Sequence, residues 1–182
     1  MKKLLECIKN CKKCNLYKTR ILPTIYCGNL KSKIFFIGEA PGKNEDETGV
    51  PFCGRAGKIL DELLESVNLK REEMYITNIV KCRPPKNRDP KDSEINKCKN
   101  YLEKQIELIK PKVICPLGRF SSKYILKKYI GKIFEIGEVH GKVFKVNDIT
   151  IIPMYHPAAA IYDNKKISIL KKDFKEIINN LL

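Results

Sequence analysis

Cysteines and a few polar residues at the ends of apolar runs carry the chemistry this sequence offers. Cys11 and Cys14 form a Cys-x-x-Cys pair, and Cys82 and Cys98 form a second, wider pair. Two close thiolates plus two more brought in by folding make an all-sulfur site for Zn²⁺ or an iron–sulfur cluster, and spacing does not choose between them. Four ordinary buried thiols are the plainer alternative. Cys27, Cys53 and Cys115 read as bystanders, and Cys7, close to Cys11, is the rival for a ligand place. A metal here would tie the N-terminal arm to the segment after the second apolar run, which is a structural role.

The other candidates are not cysteines. His156, followed by Pro157, sits at the end of an apolar run and can donate to a developing anion. The plain alternative is a satisfied surface histidine, the reading given to His140. Asn78 both donates and accepts, so it can tell a carbonyl-and-NH edge from an amino-bearing edge; otherwise it caps a turn. Phe52, between Pro51 and Cys53 in a polar loop, offers either a core contact or a face on which a base can stack. Glu39, Glu45, Asp46 and Glu47 supply carboxylates able to position water, unless they are only a solvated acidic loop.

These residues need elements to hold them. Short β-branched or aromatic runs at 33–37, 74–80, 112–116 and 149–154 read as strands. Apolar positions at helical spacing predict helices over 56–68, 93–109 and 167–182, with a shorter one around 120–128. Residues 139–147, with Gly141 in the middle, predict a hairpin or an added edge strand. Strands alternating with helices argue for an α/β fold with a parallel sheet covered on both faces. Glu39–Gly42, Thr77-Asn78, Leu117-Gly118 and Tyr155-His156-Pro157 then all fall at strand ends on one rim. That is the carboxyl edge, where open α/β sheets place their ligands. Ile34–Leu64 has the form of a strand, a glycine-rich turn, an acidic loop and a helix, the front half of a βαβ unit.

A chain of 182 residues suffices for one domain with its own core, and residues 1–182 read as one such domain with an N-terminal cysteine arm. Lys and Arg total 36 against 21 acidic residues, a formal charge of +15 that points to polyanionic partners. No apolar run reaches the roughly 20 residues that span a bilayer. The N-terminus lacks the long apolar segment of a signal peptide, so the expectation is an intracellular protein without membrane partners.

Four blocks add a resemblance: GEAPGKNEDETGVPFCGRAGKILDELL from Gly38, YITNIVKCRPPKNRDP from Tyr75, CPLGRF from Cys115 and YHPAAAIY from Tyr155. In this order and spacing, over nearly the whole chain and with the four cysteines, the sequence resembles the family 4 uracil-DNA glycosylases of the thermostable iron–sulfur type. The resemblance implies a three-layer α/β/α sandwich with a central four-stranded parallel sheet, and a [4Fe–4S] cluster on Cys11, Cys14, Cys82 and Cys98. It implies hydrolysis of the N-glycosidic bond of uracil flipped out of single- or double-stranded DNA, leaving an abasic site for base excision repair. In that role Phe52 stacks on the base and Asn78 reads its edge. His156 stabilises the departing base, Glu39 and Ala40 line the sugar and water side through backbone groups, and Glu45 and Asn87 assist catalysis. The HPAAA segment lies against the minor groove, with Ile161 or Tyr162 as a wedge. Ala40 stands where the best-known uracil-DNA glycosylases carry Asp, which leaves the water-positioning group among Glu45, Asn87 and backbone carbonyls. No basic insertion follows Gly54-Arg55-Ala56-Gly57, which favours simple hydrolysis over a covalent intermediate. The alternatives are a non-catalytic iron–sulfur or zinc nucleic-acid-binding module of the same fold, or a glycosylase for another deaminated base. A monomer is expected, with any replication-clamp partner unassigned.

Overall fold

The computed structural model describes residues 1–181. Its centre is a strand with no polar side chains: β2 (Ile34–Gly38), buried at every position. Ile34 and Phe36 point into one core, and Phe35 and Ile37 into the other. A strand with two apolar faces must be covered on both. Helices α3 (Arg55–Glu65) and α8 (Lys165–Asn179) cover the first face through Leu60, Leu63, Leu64, Phe174 and Ile177. Helices α4 (Asp92–Ile109) and α5 (Arg119–Ile130) cover the second through Ile95, Leu102, Ile106, Ile125 and Leu126.

The sheet has six strands rather than four, in the order β1-β3-β2-β4-β6-β5. The four inner strands, β3 (Tyr75–Asn78), β2, β4 (Val113–Pro116) and β6 (Ile149–Ile151), are parallel as expected. The two extra strands are antiparallel edges: β1 (Cys27–Gly28) beside β3, and β5 (Phe144–Val146) beside β6. β1 is only two residues long, too short to leave an alternation in the sequence. Of the two forms expected for 139–147, the added edge strand is the one found: β5 pairs with β6 in a hairpin. Its turn falls at Asn147, while Gly141 belongs to the turn after a short helix α6 (Ile136–Val139).

The other elements shift by a few residues. β3 stops at Asn78, although the N–H groups of Ile79 and Val80 still bond to the Gly38 and Glu39 carbonyls. β6 stops before Pro153, which has no N–H to give to the ladder. The predicted helix end at Leu182 lies outside the described residues. Helices α1 (Lys2–Lys9), which buries Ile8, and α2 (Lys43–Thr48), inside the stretch read as an acidic loop, have no counterpart in the expected set, and neither do the short α6 and the helix that follows His156-Pro157. A one-turn helix, α7 (Ala159–Tyr162), follows His156-Pro157. Among the described residues, no helix is long and apolar enough to cross a membrane.

Register places the special residues together. Gly38 pairs with Asn78 across β2 and β3, and Leu117 bridges Met154 just before Tyr155-His156.

Candidate active site

At that carboxyl edge lies a cleft of about 430 Å³, lined by Glu39, Ala40, Glu45, Phe52, Asn78, Asn87 and His156; Glu47 and Ile161 do not line it, nor does Asp46, whose carboxylate is turned away to accept from Ile21 N–H at 3.0 Å. The convergence is tight. A Cβ placed on Gly38 would stand 2.3 Å from Asn78 Oδ1 and 2.7 Å from the Phe52 ring. The Phe52 and His156 rings stack with centroids 5.5 Å apart and planes 22° apart. Phe52 and Asn78 form the floor, exposed only 5% and 2% respectively.

Phe52 reaches this place at a backbone cost. Its φ is +54°, the left-handed region, which costs a non-glycine residue about 1–2 kcal/mol. Arg71, on the turn before β3, holds it there from behind. Its guanidinium donates to the Phe52 carbonyl at 2.8 Å, to Pro51 O and Gly57 O at 3.3 Å each, and to Asp61 at 2.6 Å. Gly57 leaves room for that carbonyl; a Cβ there would meet Phe52 O at 1.7 Å. Arg71→Met removes the donors and should lower stability by roughly 1–3 kcal/mol, read as a lower melting temperature. An unchanged melt would show that the strained loop holds itself.

Glu45 braces the same loop. One carboxylate oxygen accepts from Gly42 N–H at 3.1 Å, and the other from Gly54 N–H at 3.0 Å. The residue links the turn after β2 to the start of α3, and only its remaining lone pairs can orient a water. The Glu39 side chain turns towards α5 and accepts from Phe120 N–H at 3.0 Å. Burial raises the pKa of its carboxyl, with that N–H opposing the shift. Asn87 is exposed on the opposite wall, at φ +54°, with Oδ1 held by Arg83 Nε at 2.7 Å. Arg88 on Glu94 (2.6 and 2.9 Å) and Arg119 on Asp89 brace that wall further.

His156 has its protonation written into its contacts. The Ala158 N–H donates to Nδ1 at 3.1 Å, so Nδ1 carries a lone pair and the proton of the neutral ring sits on Nε2. Burial lowers the ring's pKa to about 4, with the Glu45 charge opposing. The imidazole is therefore a neutral Nε2–H donor at pH 7. An NMR titration should show no ionisation of His156 above about pH 5, because its folded-state pKa lies below the usual value near 6.5. Its contribution to stability should be complete above pH 6.5 and be lost as pH falls towards 4. A midpoint near 6.5 would contradict the assigned state. His140 instead pairs with Asp173 at 2.9 Å, outside the cleft.

The cysteines gather elsewhere. Cys11, Cys14, Cys82 and Cys98 line one small hollow together with Arg20, Lys81 and Tyr101. Cys7, Cys27, Cys53 and Cys115 do not line it. Among the described residues, no three His, Cys, Asp or Glu side chains converge on a point as a single ion requires. Burial raises the thiol pKa of Cys14, Cys82 and Cys98, and Arg20 donates to Cys82 Sγ at 3.0 Å. Soft, sulfur-only donors flanked by cations suit an anionic thiolate centre.

Sequence reasoning missed Arg71, Arg83 and Lys81, since a single lysine or arginine in a lysine-rich chain reads as surface charge. The wall at 84–90 had a signal in its Pro84-Pro85 and Asp89-Pro90 pairs, which mark a rigid turn.

An α/β sheet with this cleft at its carboxyl edge agrees with the family comparison: the model for the uracil DNA glycosylase superfamily matches residues 25–182. The type-4 uracil-DNA glycosylase of Sulfurisphaera tokodaii is 45% identical over 97% of this chain and 83% of its own length. That of Archaeoglobus fulgidus is 45% identical over 93% of this chain and 87% of its own, and that of Thermotoga maritima 42% identical over 84% and 79%. The chain belongs to the type-4 uracil-DNA glycosylase family.

Proposed function

We propose that this chain hydrolyses the N-glycosidic bond of uracil in DNA and leaves an abasic site, the first step of base excision repair. The observation that carries it is the meeting of an aromatic ring, an amide and a neutral Nε2–H imidazole in one cleft. A base inside a duplex is out of reach, so it must be flipped, at a cost of a few kcal/mol that is least for a mispaired base. Phe52 then gives the pyrimidine a stacking surface, and the Asn78 amide pairs with its carbonyl-and-NH edge. As the C–N bond breaks, its electron pair leaves with the base, and His156 Nε2–H donates to the uracil O2 that takes up the charge. Water adds to C1′ of the sugar, and its proton ends on the base. Ala40 and the Glu39 backbone line the sugar side. Glu45 holds the Phe52 loop, and its free lone pairs and the Asn87 amide are the groups left to orient that water.

Lys43, Arg55 and Lys86, exposed beside the lining residues, suit phosphates, with affinity that falls steeply with salt. Tyr162, 83% exposed at the cleft mouth, is the better placed of the two wedge candidates, since Ile161 is partly covered. Cys11, Cys14, Cys82 and Cys98 would hold a [4Fe–4S] cluster. Zinc would need the sulfurs to converge on one ion at about 2.3 Å, and among the described residues no three such side chains do so, which suits a larger centre. When bound, such a cluster supplies a rigid link between the N-terminal arm and α4. The test is a uracil-containing oligonucleotide incubated with the protein and then cleaved by alkali. A cut strand is expected, and a strand left intact would leave only a binding module.

A further inference from the structure

Lys81 is 1% exposed, yet it is a lysine in the core. Its Nζ lies 2.7 Å from Thr77 Oγ1, 2.6 Å from the Asn78 carbonyl and 2.6 Å from Gln105 Oε1. Neighbouring contacts settle who donates. Thr77 Oγ1 is 2.5 Å from the Ile25 carbonyl, so the hydroxyl proton lies between those oxygens. The Gln105 amide nitrogen faces the Ile25 carbonyl at 3.1 Å, which can only accept, so its Oε1 faces Lys81. All three partners of Nζ therefore need a proton from it, and only an ammonium has three to give.

The side chain is then a buried cation whose three partners are neutral oxygens, and burial without a counter-charge is costly. The counter-charge lies on the other side of the residue. The Lys81 backbone N–H donates to Cys98 Sγ at 3.3 Å, Cys82 is the next residue, and Lys81 lines the four-cysteine hollow. Four thiolates around a metal centre are net anionic. Tethered to a cysteine at one end and to the Asn78 carbonyl at the other, Lys81 spans the distance between two sites otherwise treated separately.

We propose that Lys81 is a positioning residue that couples the cysteine centre to base recognition: the centre's negative charge holds the ammonium in the core, and the ammonium fixes the strand end that carries Asn78. This rests on the reading of the four cysteines as a metal centre and of Asn78 as the base-reading group. The metal-loaded protein and its Lys81→Met variant would be compared in three measurements: inhibition of excision by free uracil, affinity for DNA that holds an abasic site, and the reduction potential of the centre. Lys81→Met should weaken uracil inhibition about tenfold, the loss of a charged hydrogen bond, and leave DNA affinity unchanged. The potential should move to more negative values, because removing a nearby cation disfavours an added electron. Thr77→Val keeps the charge and serves if Lys81→Met does not fold; uracil inhibition should weaken about threefold with the potential unmoved. Uracil inhibition at the wild-type level in the folded variant would overturn the coupling. Wild-type protein that lacks iron and sulfide, or that free uracil does not inhibit, would instead overturn the reading beneath it.

Discussion

Asn78→Asp is expected to cut uracil excision by about 10²–10³-fold, because it replaces a donor with an acceptor at a buried contact. The uracil edge offers N3–H flanked by carbonyl oxygens. The Asn78 amide matches it with one acceptor and one donor, while an ionised carboxylate sets lone pairs against a carbonyl. Asn78 is 2% exposed and shares its corner with Gly38 and the Phe52 ring, so water has little access to soften the mismatch. Desolvation raises the pKa of a carboxylic acid in such a place, and its protonated form regains a donor. Residual activity of the variant should therefore rise as pH falls, a trend that the neutral His156 does not impose on the native protein. The cytosine edge presents an amino group, which a carboxylate can accept from, so the ratio of uracil to cytosine excision should narrow as well. Single-turnover rates on uracil- and cytosine-containing oligonucleotides across pH would check both. Native rates on uracil would remove Asn78 from the recognition contact.

The parts of this molecule that depend on neighbours in sequence were legible before any coordinates. The apolar run Ile34–Ile37 reads as a strand buried on both faces, and its two faces do feed two cores. Once four parallel strands are accepted, chain direction alone sends Glu39, Asn78, Gly118 and His156 to one rim. Long-range braces were not legible. Nothing near Arg71 says that its guanidinium reaches Phe52 O, 19 residues away in sequence. Glu45 is a middle case. A Glu three residues after Gly42 is a helix-start pattern, and its carboxylate does accept from Gly42 N–H, but its second contact, at Gly54, comes only with folding. Lys81 is the sharpest example. Beside Cys82 it reads as surface charge, and its burial depends on Thr77, Gln105 and Ile25, which come from three separate segments. The missed edge strand has a simpler cause: β1 is two residues long, too short for a period of two to register.

His156→Ala should slow bond cleavage by about 10²–10³-fold, the usual loss when one preorganised donor to a developing anion is removed. Binding should change far less, because His156 acts where charge appears and not on the phosphates. The native ring is set for this before substrate arrives: Ala158 N–H fixes the tautomer, burial keeps the ring uncharged, and contact with Phe52 fixes its plane. A neutral donor has a specific advantage here. It needs no proton from solvent to be ready, so its readiness does not vary across the pH range in which DNA stays paired. Gln, which also carries an N–H donor but on a flexible stem, should restore only a fraction of the lost rate, since most of the benefit lies in orientation. The measurement is a single-turnover excision rate set beside the dissociation constant for DNA with an abasic site. Equal losses in both would mean that His156 shapes the binding surface and not the leaving group, and the assignment of the cleft as a glycosylase centre would then need another donor.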